Sequence, residues 1–202
     1  RTQQRFFSAT EGENLTQPFT YDVDFNRASE FDAQDLAAGE INHKLAHRTV
    51  MRLLALAQDS DDPINLYISS PGGHVESGDM VHDMIRFIRP VVRTIGSGWV
   101  ASAGALIFIA AERADRYCLP NTRFLLHQPS GGIGGTATEI QIQAEQISKM
   151  RERFDNLFAE ATGQTPARIR KDTTRDFWLT TDEALAYGLL GSVISSIDDL
   201  GS

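Results

Sequence analysis

The chain has 202 residues, 41% of them hydrophobic, and a formal net charge of −8 at pH 7. That is enough for one well-buried domain, and no break in composition divides it into two. The acidic balance argues against a nucleic-acid or anionic-membrane surface, because phosphate binding draws on clustered Lys and Arg. The local cluster of Arg168, Arg170 and Lys171 is diluted by acidic neighbours and is expected to form a solvated helix face. Cys118 is the single cysteine, so no internal disulfide is available, which fits a reducing compartment. No apolar run approaches the roughly 18 residues of a membrane span. The opening "RTQQRFFSATEGENLTQ" lacks the apolar core of a signal peptide, and a soluble, cytoplasmic protein is expected.

In chain order, residues 1–35 are polar and irregular and are expected to be an arm, ordered only against a partner. Leu45, Val50, Leu53, Leu54 and Ala57 recur at helical spacing and predict an amphipathic helix from Asn42 to Gln58, stopped by "SDDP". "INLYI", Ile64 to Ile68, predicts a strand, followed by the turn "SSPGG". A second helix carries Val81, Met84, Ile85 and Ile88 on one face and ends at Pro90, with His82 expected to face solvent. "VVRTIG" predicts a strand, and Ala101 to Ala111 a nearly all-apolar buried helix. "DRYCL" and "RFLLH" predict short strands, with Cys118 buried in the first.

After "GGIGG", a long amphipathic helix is expected from Thr138 to about Thr162, closed by Gly163. A short helix from Ala167 to Thr173 leads to "FWL". Thr180 and Glu183 make a capping box for a helix ended by Gly188, and "SVISSI" supplies a last strand. Strands alternating with helices predict an α/β fold with parallel crossovers.

One hydroxyl stands out: Ser102 in "GWVASAGA", between a predicted strand and a predicted buried helix. A serine nucleophile needs a base within hydrogen-bond reach and a group that orients the base. Among the five histidines, His43 and His47 are four apart on a helix but lack a third metal ligand at suitable spacing. His127 ends an apolar strand, and in a parallel sheet the C-terminal strand ends form the ligand crevice. The N–H of Ala103, at the start of the helix, and that of Gly73, in "SPGG", are candidate oxyanion donors. The orienting carboxylate stays open between Asp172 and Asp176 in "RKDTTRDFWL", because spacing cannot choose. "VASAG" lacks the first glycine of G-x-S-x-G, and "GIGGTA" is followed by a continuing helix where a dinucleotide fold would begin a second strand.

These segments resemble the proteolytic subunits of Clp proteases, the ClpP family. The likeness runs from about Gly39 to Ile197 and rests on "LYISSPGG", "GWVASAGA", "CLPNTRFLLHQPSGGIGGTATEI", "ATGQ" and "DTTRDFWLTTDEALAYGLL". The resemblance implies that Ser102 is the nucleophile, His127 the general base, Asp176 its orienting residue, and Gly73 and Ala103 the oxyanion-hole positions. It implies a crotonase-like α/β fold with repeated β-β-α units. One serine protease domain would span residues 36–202, with a protruding helix/strand handle at about 128–162.

It further implies heptameric rings paired into a tetradecamer, and an AAA+ unfoldase such as ClpX or ClpA that delivers polypeptides. The unfoldase would dock at pockets to which Tyr67, Phe87 and Tyr117 are similar, and the ATP belongs to it, so no cofactor or metal is expected here. Two departures are visible. "EFDAQDLAAG" is charged where the family usually has a hydrophobic first strand, and Thr174 replaces an acid that links the rings in many members, so ring-to-ring contacts are expected to differ. Alternatives are a catalytically silent or regulatory ring subunit, an acyl-CoA enzyme on the same fold, and a Ser–Lys dyad using Lys149.

Overall fold

A computed structural model describes residues 34–200 except residue 133, with side chains from residue 39 onward. The arm expected over residues 1–35 lies outside the described residues as far as residue 33; Gln34 and Asp35 already belong to the first strand. That strand, β1 (Gln34–Ala38), pairs in parallel with β2 (Ile64–Ser70), from Gln34↔Asn65 to Ala38↔Ser69. The charged segment makes a strand because ladder bonds come from the backbone, and β1 is an edge, where charge is well tolerated.

Between them lies α1 (His43–Asp59), capped by the Asn42 side chain accepting from Leu45 N at 2.9 Å. After β2 come α2 (Val75–Phe87), β3 (Val92–Ala101) and α3 (Ala103–Phe108). The expected helix from Ala101 to Ala111 is thus shorter. Ala101 is fully buried but belongs to the strand, paired with Leu125, and residues 109–111 lie beyond the helix end. A continuous apolar run satisfies a buried strand and a buried helix equally, so periodicity could not divide it.

Two short strands follow, β4 (Arg116–Cys118) and β5 (Arg123–Leu126), and then α4 (Ala137–Thr162), α5 (Pro166–Asp172), β6 (Phe177–Leu179), α6 (Thr181–Tyr187) and β7 (Ser192–Val193). The Thr180–Glu183 capping box forms, and Gly163 and Gly188 end their helices in the left-handed conformation, at φ 75° and 88°. "SVISSI" yields only two strand residues before a short turn of 3-10 helix.

The sheet runs β1-β2-β3-β4-β7, all parallel. β3 is long enough to serve two neighbours: Thr94–Gly96 pair with β4, while Trp99–Ala101 pair with β5, after a shift in register between Ile68 and Ser70. β5 then pairs antiparallel with β6, which curls the sheet at the C-terminal end of β3. Leu53, Leu66, Ile68, Phe108 and Phe124 are fully buried between sheet and helices, each worth about 1.5–3 kcal/mol. Arg116 is buried as well, and its guanidinium donates to the carbonyls of Ala111 and Ala161 at 2.7 Å. Burial lowers its pKa to about 10, so it stays charged at neutral pH.

The C-terminal half of α4 is anchored by Phe154, Phe158 and Ala159, while residues 137–146 are exposed, so the helix projects from the body. Residues 130–132, 134 and 135, part of the expected handle, adopt no strand conformation in the single chain. An edge strand there would need a second backbone to pair with.

His82 corrects its expectation: it is 4% exposed, in the buried stripe of α2 with Gly78, Val81 and Ile85. Burial outweighs the nearby Asp83 and lowers its pKa from 6.5. The unfolded chain therefore binds more protons between that lowered value and 6.5, and stability falls as pH drops through this window. Urea unfolding followed across that range is expected to show a pH-dependent loss that His82→Phe reduces.

Candidate active site

Ser102 is the hinge between β3 and α3, at φ 54° and ψ −120°. Among the described residues it is the only one other than glycine with positive φ. Such a conformation costs a side-chain-bearing residue about 1–3 kcal/mol, so the surroundings must impose it. The Ser102 N–H donates to the Leu125 carbonyl at 2.9 Å, and its own carbonyl accepts from Leu106 N–H at 3.0 Å. Strand β5 grips one side of the residue and α3 the other.

The small residues around it have a steric cause. A Cβ on Gly72 would lie 2.5 Å from Ser102 Cβ, one on Gly104 would lie 3.0 Å from Ser70 Cβ, and one on Gly78 would lie 3.2 Å from Ala103 Cβ. Gly72, which sequence reasoning passed over in favour of Gly73, is thus the residue packed on the serine. The doubled glycine of "SPGG" was the available signal.

Ala103 opens α3, and its N–H has no intrahelical acceptor. Gly73 forms a parallel bridge with Ile41, made by Ile41 N–H to Gly72 O and His74 N–H to Ile41 O, both at 2.8 Å. In that pattern the bonds to Ile41 come from the residues on either side of Gly73, so the N–H of Gly73 points away from Ile41. At φ 143°, any Cβ on Gly73 would overlap the Ile41 carbonyl, so only glycine fits. Among the described residues no protein acceptor takes the N–H of Gly73 or Ala103.

β5 ends just before His127, and β6 begins just after Asp176. Their antiparallel register pairs Phe124↔Leu179, Leu125↔Trp178 and Leu126↔Phe177, so the two strands bring the ends that carry His127 and Asp176 to the same side of the sheet. The connection beyond is tied as well: Gln128 N–H donates to Thr173 O at 3.0 Å and its side-chain amide to Thr174 O at 3.2 Å. Arg151 on α4 donates to Thr173 Oγ1 at 2.8 Å and is paired with the buried Asp155, which also takes Arg170 at 2.7 Å. Arg170 is therefore part of an ion-pair network rather than a simply solvated face.

Asp172 is engaged elsewhere, by Arg168 and by the Tyr187 hydroxyl at 3.0 Å. Burial and that carboxylate raise the Tyr187 pKa. Among the described residues no hydrogen bond joins Ser102 to His127 or His127 to Asp176, and Asp176 is exposed. Lys149 is exposed on α4 and is not hydrogen-bonded to Ser102.

The docking candidates lie away from the serine. Tyr67 and Tyr117, both half-buried, share a cross-strand row with Ile95 between them, and Phe87 is 77% exposed at the C-terminal end of α2. Phe87 stands at the edge where β3 begins, whereas Ser102 follows the end of that strand. His43 and His47 sit on the exposed side of α1, and among the described residues no group of three or more His, Cys, Asp or Glu is placed to hold a metal. No described helix is long and apolar enough to cross a membrane.

A curled α/β sheet whose central strand delivers a strained serine to a buried helix, with unpaired N–H groups beside it, defines a class of α/β proteins with a serine-centred site. The family model for Clp proteases matches residues 32–197. An ATP-dependent Clp protease proteolytic subunit from Paracoccus denitrificans is 70% identical over 168 residues, 83% of this chain and 84% of that one. The corresponding subunit 3 from Rhizobium meliloti (strain 1021) is 58% identical over 162 residues, covering 80% and 83%. Among solved structures, ClpP1 from Listeria monocytogenes superposes with a TM-score of 0.76 at 49% identity, covering 83% of this chain and 94% of that one. A point mutant of it gives a TM-score of 0.79, with coverages of 86% and 98%. The chain belongs to the Clp protease family, a family of serine peptidases.

Proposed function

We propose that this proteolytic subunit of an ATP-dependent Clp protease is a self-compartmentalising serine endopeptidase, with Ser102 as nucleophile, His127 as general base and Asp176 orienting the histidine. The observation that carries it is the strained backbone of Ser102, held by Leu125 and packed on Gly72, beside the unpaired N–H groups of Gly73 and Ala103. His127 takes the hydroxyl proton as Ser102 attacks the scissile carbonyl and returns it to the leaving amine; water then resolves the acyl-enzyme. The two N–H groups receive the oxyanion, each worth roughly 10²-fold or more in rate.

Heptameric rings, paired through the projecting half of α4 into a tetradecamer, enclose the sites in the cytoplasm. The exposed Ile140 and Ile142 on that half support contact with another copy. An AAA+ unfoldase such as ClpX or ClpA docks over Tyr67, Phe87 and Tyr117, spends the ATP and threads polypeptides inward. The open hydrogen bonds around His127 favour one second reading, a silent or regulatory ring subunit.

Labelling of the assembled protein with a fluorophosphonate separates the two. Wild type is expected to react, Ser102→Ala not at all and His127→Ala at least 10²-fold more slowly. An unlabelled wild type would leave the regulatory reading. Undiminished labelling of His127→Ala would point to another base.

A further inference from the structure

Three polar side chains next to the Gly72–Gly73 turn are unused by the chemistry above. His74 follows Gly73 directly and is the N-cap of α2: its Nδ1 accepts from the Ser77 backbone N–H at 3.2 Å. The same Nδ1 lies 2.9 Å from Ser77 Oγ, which in turn lies 3.2 Å from His43 Nδ1 on α1. The two imidazole rings are 4.3 Å apart, and His74 Nε2 is 3.3 Å from Glu76 Oε2.

The backbone bond sets the role of His74 Nδ1. A backbone N–H can only donate, so His74 Nδ1 carries the lone pair and its Nε2–H faces the Glu76 carboxylate. Ser77 Oγ sits between His74 Nδ1 and His43 Nδ1, so polar contacts run from α1 through α2 to the turn.

Gly73 is thus held from two directions: by the backbone bridge to Ile41, which immediately precedes α1, and by the cap on the residue that follows it. Lacking a Cβ, Gly73 has no side chain to restrict its own torsions, so the direction of its N–H depends on these neighbours. From this geometry we infer that His74, braced through Ser77 by His43, is a positioning residue that fixes the Gly73 N–H for the oxyanion. The inference rests on the proposed role of Gly73 in peptide hydrolysis.

An oxyanion exists only in the transition state and the tetrahedral intermediate, so loosening its donor lowers kcat and leaves KM in place. Complete loss of one donor costs 10²–10³-fold, and a turn that keeps the productive orientation about a tenth of the time loses about tenfold.

The test is steady-state hydrolysis of a short fluorogenic peptide by assembled wild type, His74→Ala, His74→Asn and His43→Ala, with fluorophosphonate labelling of wild type alongside. His74→Ala is expected to lose about tenfold in kcat at unchanged KM. His74→Asn, whose Oδ1 restores the cap, is expected to recover most of it, and His43→Ala to fall between. A wild-type kcat in His74→Ala, even with lowered thermal stability, overturns the inference, as does an Asn variant no faster than Ala. Should His74→Ala not fold, a wild-type kcat in His43→Ala overturns it instead. Failure of wild type itself to label would indict the protease reading, not the role of His74.

Discussion

Gly72→Ala is expected to remove at least 10²-fold of kcat/KM toward a short peptide while leaving a folded subunit. The glycine holds φ 98°, where a side chain is strained, and its new Cβ would lie 2.5 Å from Ser102 Cβ and 3.0 Å from the Ala101 carbonyl. Both obstacles are backbone or the first atom of a side chain, so no flexible tip can swing away. The yielding partner is Ser102, already at φ 54°, whose shift toward an ordinary conformation relieves strain and swings Oγ off line. A displacement on the order of 1 Å suffices for a 10²-fold loss. The stability cost is expected at about 1–3 kcal/mol. A double-mutant cycle isolates the cause: in a Ser102→Gly background, which lacks the opposing Cβ, Gly72→Ala should destabilise less than in wild type. Equal costs in both backgrounds would show that the serine is not what the new methyl meets.

How much of this site the sequence displayed varies residue by residue. The order of helices and strands from α1 onward followed from periodicity, whereas the charged β1 did not, and the capping box at Thr180 and the end signals at Gly163 and Gly188 are local enough to be read directly. The extent of α3 was not, because Ala101 is equally apolar in strand and helix, and only pairing with β5 makes it strand. His82 was misjudged because one polar residue in an apolar stripe carries no mark of whether the neighbouring helices cover it. Ser102 could be singled out by its small neighbours, but its positive φ is a property of the junction between β3, β5 and α3. The His43–Ser77–His74 chain joins residues 34 apart in sequence, and no spacing rule foretells such a contact. Long-range contacts likewise distinguish the two aspartates that spacing left equal: Asp172 is taken by Arg168 and the Tyr187 hydroxyl, while Asp176 immediately precedes β6.

That separation yields the second large effect. Asp176→Asn is expected to lower kcat by roughly 10³–10⁴-fold, while Asp172→Asn keeps kcat within about threefold and costs stability instead. The difference follows from position. Asp176 immediately precedes β6, the strand paired with β5, whose end carries His127, and in the proposed triad an amide there offers the imidazole a donor where it needs an acceptor, favouring the wrong tautomer. Asp172 is one turn away on α5, with its carboxylate between Arg168 and the buried Tyr187 hydroxyl, so its loss frees that hydroxyl without touching the histidine. The readouts are kcat on a short peptide and the unfolding midpoint of each variant in the assembled state. If Asp172→Asn takes the large kinetic loss and Asp176→Asn the thermal one, the orienting role passes to Asp172. Near-equal kinetic losses would mean that the tether from Gln128 to Thr173 and Thr174 moves the whole segment as one unit, with neither carboxylate acting on the histidine alone.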